Sequence, residues 1–248
     1  MTRQLLLGID SGQTMGKAAL FDTAGHEVAV SRAGTLTRHP RARWAERDLD
    51  ELWHQVATAI RDVLAQAGPD AEVVGVGVCG HNDGAYLLDD DLRPVRPGIL
   101  ATDTRAHLQA ADVAGGPRAQ QVLALTGQVP FAASPGPLLS WLAEHEPQSL
   151  ARTRWSLFCK DWIRLCLTGV VATDRSEASA AFTDVHEQDW SDEALAVYGL
   201  EELRSALPPI LDGSSVAGSV TAEAAKATGL RAGTPMVAGA HDVDAAAL

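Results

Sequence analysis

The chain has 248 residues, a formal net charge of −12 at pH 7 and a hydrophobic fraction of 46%. This length and composition allow a substantial buried core and exclude an intrinsically disordered chain. The acidic balance argues against a nucleic-acid-binding protein, which needs an excess of Lys and Arg. No apolar run approaches the roughly 20 residues of a transmembrane helix, so we expect no membrane association.

The cysteine content predicts a reducing compartment. Cys79, Cys159 and Cys166 are an odd number and lie in apolar surroundings, which is typical of reduced core thiols in a cytoplasmic protein. The N-terminal residues lead directly into a strand-like segment, so we expect no signal peptide.

The first 80 residues predict a mixed α/β arrangement. Strand-like segments are Leu5–Asp10, Lys17–Asp22, Glu27–Val30 and Val73–Cys79. Tight turns join the first three into an antiparallel meander, and the apolar run of the first strand indicates burial on both faces. Apolar residues spaced by three and four over 48–66 predict a helix with Asp48 as its N-cap. Functional residues are expected at the strand ends.

The region from about 106 to 209 is predicted to be mainly helical, with apolar helix faces in Pro135–Glu146 and Trp155–Leu167. A strand at Val216–Gly218 and a small helix near Ala222–Thr228 follow. The last predicted strand is Met236–Ala240, and His241 and Asp242 follow it, where the strand gives way to a final helix.

The loop after the first strand has the composition of an anion-binding site. Gly12 allows close approach of the backbone to a ligand, and successive N–H groups can form an anion nest. Thr14 and Lys17 add a hydroxyl and a cation, while Asp10 could hold a hydrated magnesium ion through water. The segment is not a Walker A loop, because that pattern is absent and a strand follows. An ordinary glycine hairpin with a surface lysine is the alternative.

Polar residues bracketed by glycines follow the Val73–Cys79 strand, in the segment Gly80–Gly84. Asn82 and Asp83, joined at a distance by Asp103, suit hydrogen bonding to a molecule rich in hydroxyl groups. A plain turn is one alternative. The other is a metal site, although its candidate ligands lack any known spacing: His81, Asp83, His241 and Asp242.

Asp242 is the candidate general base. A carboxylate near the end of a buried strand could take the proton of a hydroxyl group as that group attacks phosphorus. The alternative is that Asp242 or Asp244 only caps the final helix. The charged residues of Lys160–Trp162 and Thr173–Ala178 are interpreted as surface or capping groups.

Taken together and in chain order, these segments resemble the N-terminal domain of the FGGY carbohydrate kinases. The segments that carry the resemblance are Gly8–Thr14 with Lys17, Trp44–Asp48, Gly80–Gly84, Arg96–Arg105, Lys160–Gly169, Thr173–Ser179 and Gly233–Asp242. Ala101 stands where many members have a tryptophan that lines the sugar pocket. Together with Asn82 and Asp83, this departure makes the chain most similar to the branch of L-xylulose, erythritol and xylulose kinases.

The resemblance implies an α/β fold of the ribonuclease-H-like, actin-type ATPase class, with a mixed central sheet and a mainly helical insertion. Residues 1–248 would then form the sugar-binding domain. A C-terminal nucleotide-binding domain, expected as its partner, is absent from this sequence. The resemblance leaves a homodimer open.

The resemblance also implies the chemistry, which is transfer of the γ-phosphate of ATP, with Mg²⁺, to a small ketose or polyol. Asp242 corresponds to the family's catalytic base, and it would also contact the sugar. Asp10 would hold Mg²⁺ through water, and the phosphate would be bound by Gly12, Gln13, Thr14 and Lys17. The sugar would be oriented by Asn82, Asp83 and Asp103.

A different class of protein is the main alternative. A non-catalytic nucleotide-binding module of the actin or Hsp70 type would share the Asp10 hairpin but would not need a sugar-binding loop. A further expectation is that these 248 residues alone do not catalyse phosphate transfer, because half of the nucleotide site is absent.

Overall fold

Residues 2–248 are described by a computed structural model, which contains both strands and helices. The strands are β1 (Arg3–Ser11), β2 (Met15–Asp22), β3 (Glu27–Gly34), β4 (Glu46–Arg47), β5 (Ala71–Gly80), β6 (Tyr86–Leu88), β7 (Gly98–Ile99), β8 (Trp155–Leu157), β9 (Thr173–Asp174), β10 (Ile210–Leu211), β11 (Val216–Ser219), β12 (Pro235–Val237) and β13 (Ala240–His241). The helices are α1 (Leu49–Ala67), α2 (His107–Ala114), α3 (Arg118–Thr126), α4 (Pro135–His145), α5 (Pro147–Ala151), α6 (Cys159–Thr168), α7 (Arg175–Ala178), α8 (Asp192–Val197), α9 (Ala222–Thr228) and α10 (Asp242–Ala247), with a 3₁₀ helix at Glu201–Ala206.

The central sheet within residues 2–248 has seven strands in the order β11-β12-β5-β1-β2-β3, and β13 also pairs with β5. β1, β2 and β3 form the predicted antiparallel meander, whereas β5 is parallel to β1, β12 and β13. The expectation that β1 is buried on both faces is wrong. Leu5 and Leu7 are buried, but Leu6 between them is 46% exposed, because only one face of this strand is covered completely.

The predicted helix over 48–66 is confirmed as α1. The Asp48 carboxylate accepts a hydrogen bond from the N–H of Glu51 at 3.0 Å, so it caps the helix as expected. The helix buries Leu52, Ile60 and Val63 in the core beside the sheet. Each such side chain contributes about 1.5–3 kcal/mol through removal of apolar surface from water.

The region between β7 and β10 is built mainly from helices α2 to α8 and has its own apolar core, which includes Leu138, Leu142 and Leu195. The prediction of a helix from Trp155 is wrong at its start. Residues Trp155–Leu157 form β8, antiparallel to β6, and the helix begins only at Cys159. Pairing with a strand far away in the sequence therefore overrides the local helical spacing.

The last predicted strand is interrupted at Gly239, which separates β12 from β13. This glycine has φ +89°, and a Cβ atom there would lie 2.0 Å from the carbonyl oxygen of Val78. Only glycine permits this approach of the two backbones. The break places β13 and the start of α10 directly beside the end of β5.

Over residues 2–248 the structure contains no helix with the length and hydropathy that a bilayer crossing requires.

Candidate functional site

The candidate site lies where three parallel strands end side by side. Asp10 on β1 is level with Cys79 on β5, and Cys79 is level with Ala240 on β13. Asp242 follows two residues after Ala240 as the first residue of α10. In open α/β sheets, ligands bind at this edge, outside the carboxyl ends of the strands.

A cleft of about 570 Å³ opens at this edge. Its lining residues are Asp10, Gly12, Thr14, Met15, Lys17, Cys79, Asp242, Val243, Ala245 and Ala246. The cleft thus brings together five residues selected from the sequence, and Gln13 of the same loop is not among the lining residues. Burial, helped by the negative charges of Asp10 and Asp242, raises the pKa of the Cys79 thiol to about 11.

The carbonyl oxygens of the hairpin between β1 and β2 accept hydrogen bonds from other segments of the chain. Arg47, which is 1% exposed, donates to the carbonyl of Gly12 at 3.4 Å and also to that of Gln13. The hydroxyl of Thr35 donates to the carbonyl of Gln13 at 2.6 Å, and the N–H of Thr35 donates to the carbonyl of Thr14 at 3.1 Å. The sequence did not reveal the contributions of Arg47 and Thr35, because they depend on contacts between segments 20 or more residues apart.

The N–H groups of this hairpin fit an anion. The N–H of Gly12 donates to the carbonyl of Met15 at 3.1 Å. Within residues 2–248, the N–H groups of Gln13 and Thr14 find no acceptor. Neighbouring free N–H groups beside a lysine can form the concave donor set that binds phosphate.

Asp10 and Lys17 face each other across the hairpin, with 3.0 Å between Lys17 Nζ and Asp10 Oδ2. Their side chains are 34% and 46% exposed, so both can reach a ligand in the cleft. A partly exposed carboxylate suits Mg²⁺, which binds one or two carboxylates and retains several waters. Asp10 is therefore a fitting donor for a hydrated magnesium ion.

Asp242 is the first residue of α10, and its side chain is 36% exposed. His241 lies against it, with 3.0 Å between His241 Nε2 and Asp242 Oδ1 and 3.0 Å between His241 Nδ1 and Asp244 Oδ2. The N-cap position of α10 is His241, and no side chain there makes a capping hydrogen bond. The alternative in which Asp242 or Asp244 serves as the cap is therefore wrong.

The Gly80–Gly84 loop is held tightly. Asn82 is buried, and its Oδ1 accepts from the N–H of Asp83 at 2.5 Å. Asp83 has φ +59°, and Gly84 is required because a Cβ there would lie 2.1 Å from the carbonyl oxygen of Ile99. Burial raises the pKa of Asp83 to about 6, although the nearby His241 and His81 oppose this effect. Near neutral pH this carboxyl can therefore either accept or donate a hydrogen bond.

Asp103 does not lie open to a substrate. Its carboxylate is 0% exposed and accepts from the N–H of Ala45 at 2.7 Å and from Arg105 Nη2 at 2.7 Å. Arg105 also binds Glu46 at 2.7 Å and lies 3.9 Å from the ring centroid of Trp44. The expectation that Asp103 contacts a sugar directly is corrected, because both carboxylate oxygens hold the backbone and Arg105.

The metal-site alternative fails on the geometry of His81. Its Nδ1 lies 3.1 Å from the carbonyl oxygen of Asn82, and its Nε2 lies 3.1 Å from the hydroxyl of Tyr86. Throughout residues 2–248 there is no cluster of three or more His, Cys, Asp or Glu side chains that could hold a metal.

The interpretation of the Lys160–Trp162 charges as surface groups is also wrong. Lys160 and Asp161 are 0% exposed and bind each other at 2.8 Å. Asp174, in contrast, does cap a helix, because its carboxylate accepts from the N–H of Ser176 at 2.8 Å.

A cavity of about 610 Å³ in the helical region is larger than the cleft but less suited to chemistry. It lies between Trp155, Trp190 and Arg175. Arg175 is already bound to Asp212 at 2.7 Å and to the carbonyl of Gln188 at 3.1 Å. The cavity contains none of the residues at the strand ends.

Comparison with known proteins gives a consistent result. The family model described as the FGGY family of carbohydrate kinases, N-terminal domain, matches residues 5–248. The L-xylulose/3-keto-L-gulonate kinase of Escherichia coli is 36% identical, over 99% of this chain and 50% of that protein. The erythritol kinase of Brucella abortus is 34% identical, over 98% of this chain and 47% of that protein.

Solved structures agree with the sequence relatives. The xylulose kinase of Rhodospirillum rubrum matches with a TM-score of 0.92 and 30% identity, over 98% of this chain and 50% of that chain. The fold is thus the actin-like ATPase fold of these kinases, with a mixed central sheet. The chain spans about half the length of the curated relatives it matches.

Proposed function

The chain belongs to the FGGY family of carbohydrate kinases, and from this premise we propose that residues 1–248 are the sugar-binding domain of an ATP-dependent sugar or polyol kinase. The acceptor is a hydroxyl group of a small ketose or polyol, xylulose-like or erythritol-like. The observation that supports this proposal best is the cleft that joins Asp10, Gly12, Thr14 and Lys17 to Asp242.

In the proposed reaction, Asp242 removes the proton from the substrate hydroxyl while the oxygen attacks the γ-phosphorus of ATP. The new O–P bond forms as the bond to ADP breaks, and the proton remains on the Asp242 carboxylate. The exposure of this side chain within the cleft supports its access to a substrate.

The hairpin is the proposed phosphate cradle. The free N–H groups of Gln13 and Thr14, with Gly12 and the ammonium of Lys17, stabilise the negative charge on the transferred group. Asp10 would hold Mg²⁺ through water, and the ion, when bound, would neutralise charge on the phosphates. The ties from Arg47 and Thr35 to the carbonyls keep this cradle rigid before the ligand arrives.

Asn82 and Asp83 are the proposed sugar ligands on this chain. The half-buried Asp83 carboxyl, with its pKa raised to about 6, can accept from one hydroxyl or donate to another. Asp103 contributes indirectly, because it fixes Arg105 and the Ala45 backbone.

A C-terminal nucleotide-binding domain is the proposed partner, since the relatives are about twice the length of this chain. Closure of the two halves would exclude water, so that phosphate passes to the sugar and not to solvent. We further propose a cytoplasmic location, because Cys79, Cys159 and Cys166 are all free thiols.

Calorimetry of the 248-residue chain with L-xylulose, D-xylulose, erythritol and glycerol, without nucleotide, tests the sugar site. We expect heat of binding for L-xylulose or erythritol. A chain that binds ATP but no member of the panel would instead fit a non-catalytic nucleotide-binding module of the actin or Hsp70 type.

A fusion protein tests catalysis. Residues 1–248 are joined to the C-terminal half of the Escherichia coli L-xylulose/3-keto-L-gulonate kinase, the 36% identical relative. We expect ATP-dependent phosphorylation by the fusion and none by the chain alone. Activity of the chain alone would contradict the need for a second domain, and phosphorylation of only glycerol would contradict a xylulose-like or erythritol-like acceptor.

A further inference from the structure

A buried group of charged residues contacts the chain around β13, the strand that precedes Asp242. Lys160 Nζ is 2.7 Å from Asp174 Oδ1 and 2.8 Å from Asp161 Oδ1. The three side chains are at most 3% exposed. A lysine this deeply buried keeps its charge only when carboxylates surround it, and these contacts raise the pKa of Lys160 although burial alone would lower it.

Through Ser176, this group is hydrogen-bonded to the backbone beside Asp242. The hydroxyl of Ser176 donates to Asp174 Oδ2 at 2.6 Å and accepts from the N–H of His241 at 2.8 Å. The Lys160–Asp174 ion pair is therefore continued by two hydrogen bonds of Ser176, the second of which ends on the residue before Asp242. The sequence analysis interpreted the charged residues of Thr173–Ala178 as surface or capping groups and gave no sign of this contact of Ser176 with a residue 65 positions further along.

A second set of contacts holds the chain just before β13, at Ala238. Arg164 Nη1 lies 3.2 Å from Asp161 Oδ1 and donates to the carbonyl of Ala238 at 3.3 Å. Arg164 Nη2 also donates to the carbonyl of Ala172. The backbone on both sides of Gly239 and Ala240 is thus fixed to one buried cluster.

Glu177 lies beside these charges. Its carboxyl is fully buried, and burial raises its pKa well above the ordinary value. The cations Lys160 and Arg164 contact the carboxylates of Asp161 and Asp174. A buried cluster of paired charges is rigid, because moving any member leaves a charge without a partner.

From this geometry we infer that Ser176, anchored by Asp174 and Lys160, is a positioning residue that sets the location of the Asp242 carboxylate through the N–H of His241. The inference rests on the proposed function of Asp242 as the base. Ser176 itself does not line the cleft. Its effect is on geometry, and a displacement of about 1 Å at a reacting group can cost on the order of 100-fold in rate.

The test compares three variants. Ser176→Ala removes the hydroxyl that joins Asp174 to His241, and Ser176→Thr restores a hydroxyl there. Ser191→Ala is the matched control, because Ser191 also accepts a backbone N–H at a helix start, that of Ala194 at 3.2 Å, but does not contact β13. Both alanine variants remove a side-chain hydrogen bond of similar kind, so a purely structural effect would be shared.

In the active fusion protein, we expect Ser176→Ala to lower kcat about 10- to 100-fold while the sugar KM changes less than about twofold. Ser191→Ala should retain the kcat of the unchanged protein, and Ser176→Thr should recover most of it. Equal kcat values for Ser176→Ala and the unchanged protein would overturn the inference.

Amide hydrogen exchange at His241, measured by NMR on the 248-residue chain, is a readout without catalysis. We expect exchange about tenfold or more faster in Ser176→Ala than in the unchanged chain or Ser191→Ala, because this N–H loses its acceptor. An unchanged rate would overturn the inference. A fusion protein that phosphorylates no sugar would count against the proposed function, whereas exchange at His241 would still decide whether Ser176 holds this strand.

Discussion

The carboxylates at the strand ends differ from those of the interior in their surroundings. Asp10 and Asp242 have side chains 34% and 36% exposed, and each has one neighbouring cation or imidazole at 3.0 Å. Asp103 and Asp161 are 0% exposed and are bound to arginine or lysine inside the protein. The same type of side chain is thus accessible to a ligand in one region and holds the fold in the other. Exposure, not residue type, separates the two uses.

The largest effect on activity is expected at the cleft. Asp242→Asn in the active fusion protein should reduce turnover by about 10⁴-fold, because the amide cannot accept the substrate proton. Sugar binding by calorimetry should remain within about threefold, since the amide keeps the shape and the hydrogen-bonding oxygen. Near-normal turnover would end the assignment of Asp242 as the base.

The largest effect on stability is expected in the interior. Asp103→Ala leaves the buried Arg105 without one of its two carboxylate partners, and loss of one member of a buried pair costs about 3–5 kcal/mol. Because Glu46 still binds Arg105 at 2.7 Å, we expect a free energy of unfolding lower by about 3 kcal/mol in urea titrations. Asp10→Ala is the matched exposed control, and equal losses in the two variants would remove the distinction between the regions.

Asp83 lies between these extremes and should make stability depend on pH. Its pKa in the folded protein is about 6, above the ordinary 3.8, so the folded state binds the proton more tightly. The contribution of Asp83 to the free energy of unfolding therefore falls as pH rises from about 4 to about 6, because over this range the unfolded chain has released the proton while the folded chain still holds it. Asp83→Asn should raise the free energy of unfolding by about 1–3 kcal/mol at pH 7 and much less near pH 4. A difference that does not vary with pH would contradict this origin.

The smallest effect is expected for Lys17→Ala. The Lys17–Asp10 pair is partly exposed, and pairs of this kind contribute about 0–1 kcal/mol to stability. The free energy of unfolding should therefore change by less than about 1 kcal/mol, while ATP binding by the fusion protein weakens. A large loss of stability would place Lys17 with the interior charges.

Patterns within a few residues of the sequence correctly predicted the turns, the helix cap and the strand-to-helix junction that interactions between neighbouring residues determine. The β1–β3 meander, the Asp48 cap of α1 and the position of Asp242 at a strand-to-helix junction all follow from spacing and turn chemistry within a few residues. The selection of Asp10, Thr14 and Lys17 also agrees with the residues that line the cleft.

Burial of charge could not be predicted in the same way. Lys160 and Asp161 suggested a surface, yet their environment is made by Asp174, Glu177 and Arg164, which the fold brings to them. Asp103 was predicted to orient a sugar because a carboxylate accepts hydrogen bonds from hydroxyl groups, but this carboxylate is used by Ala45 and Arg105. Such pairings depend on tertiary contacts that no local pattern contains.

The alignment of Asp10, Cys79 and Ala240 across three strands has a consequence for how the chain can change in length. Each residue added to or removed from a strand moves everything beyond it by about 3.3 Å and turns the side chains to the opposite face. Between Gly239 and Asp242 the chain therefore has no room for an insertion or deletion, since Gly239 is pressed against Val78 and cannot slide. Related chains should differ in length in the connections of the helical region. They should keep the same number of residues between the equivalents of Gly239 and Asp242.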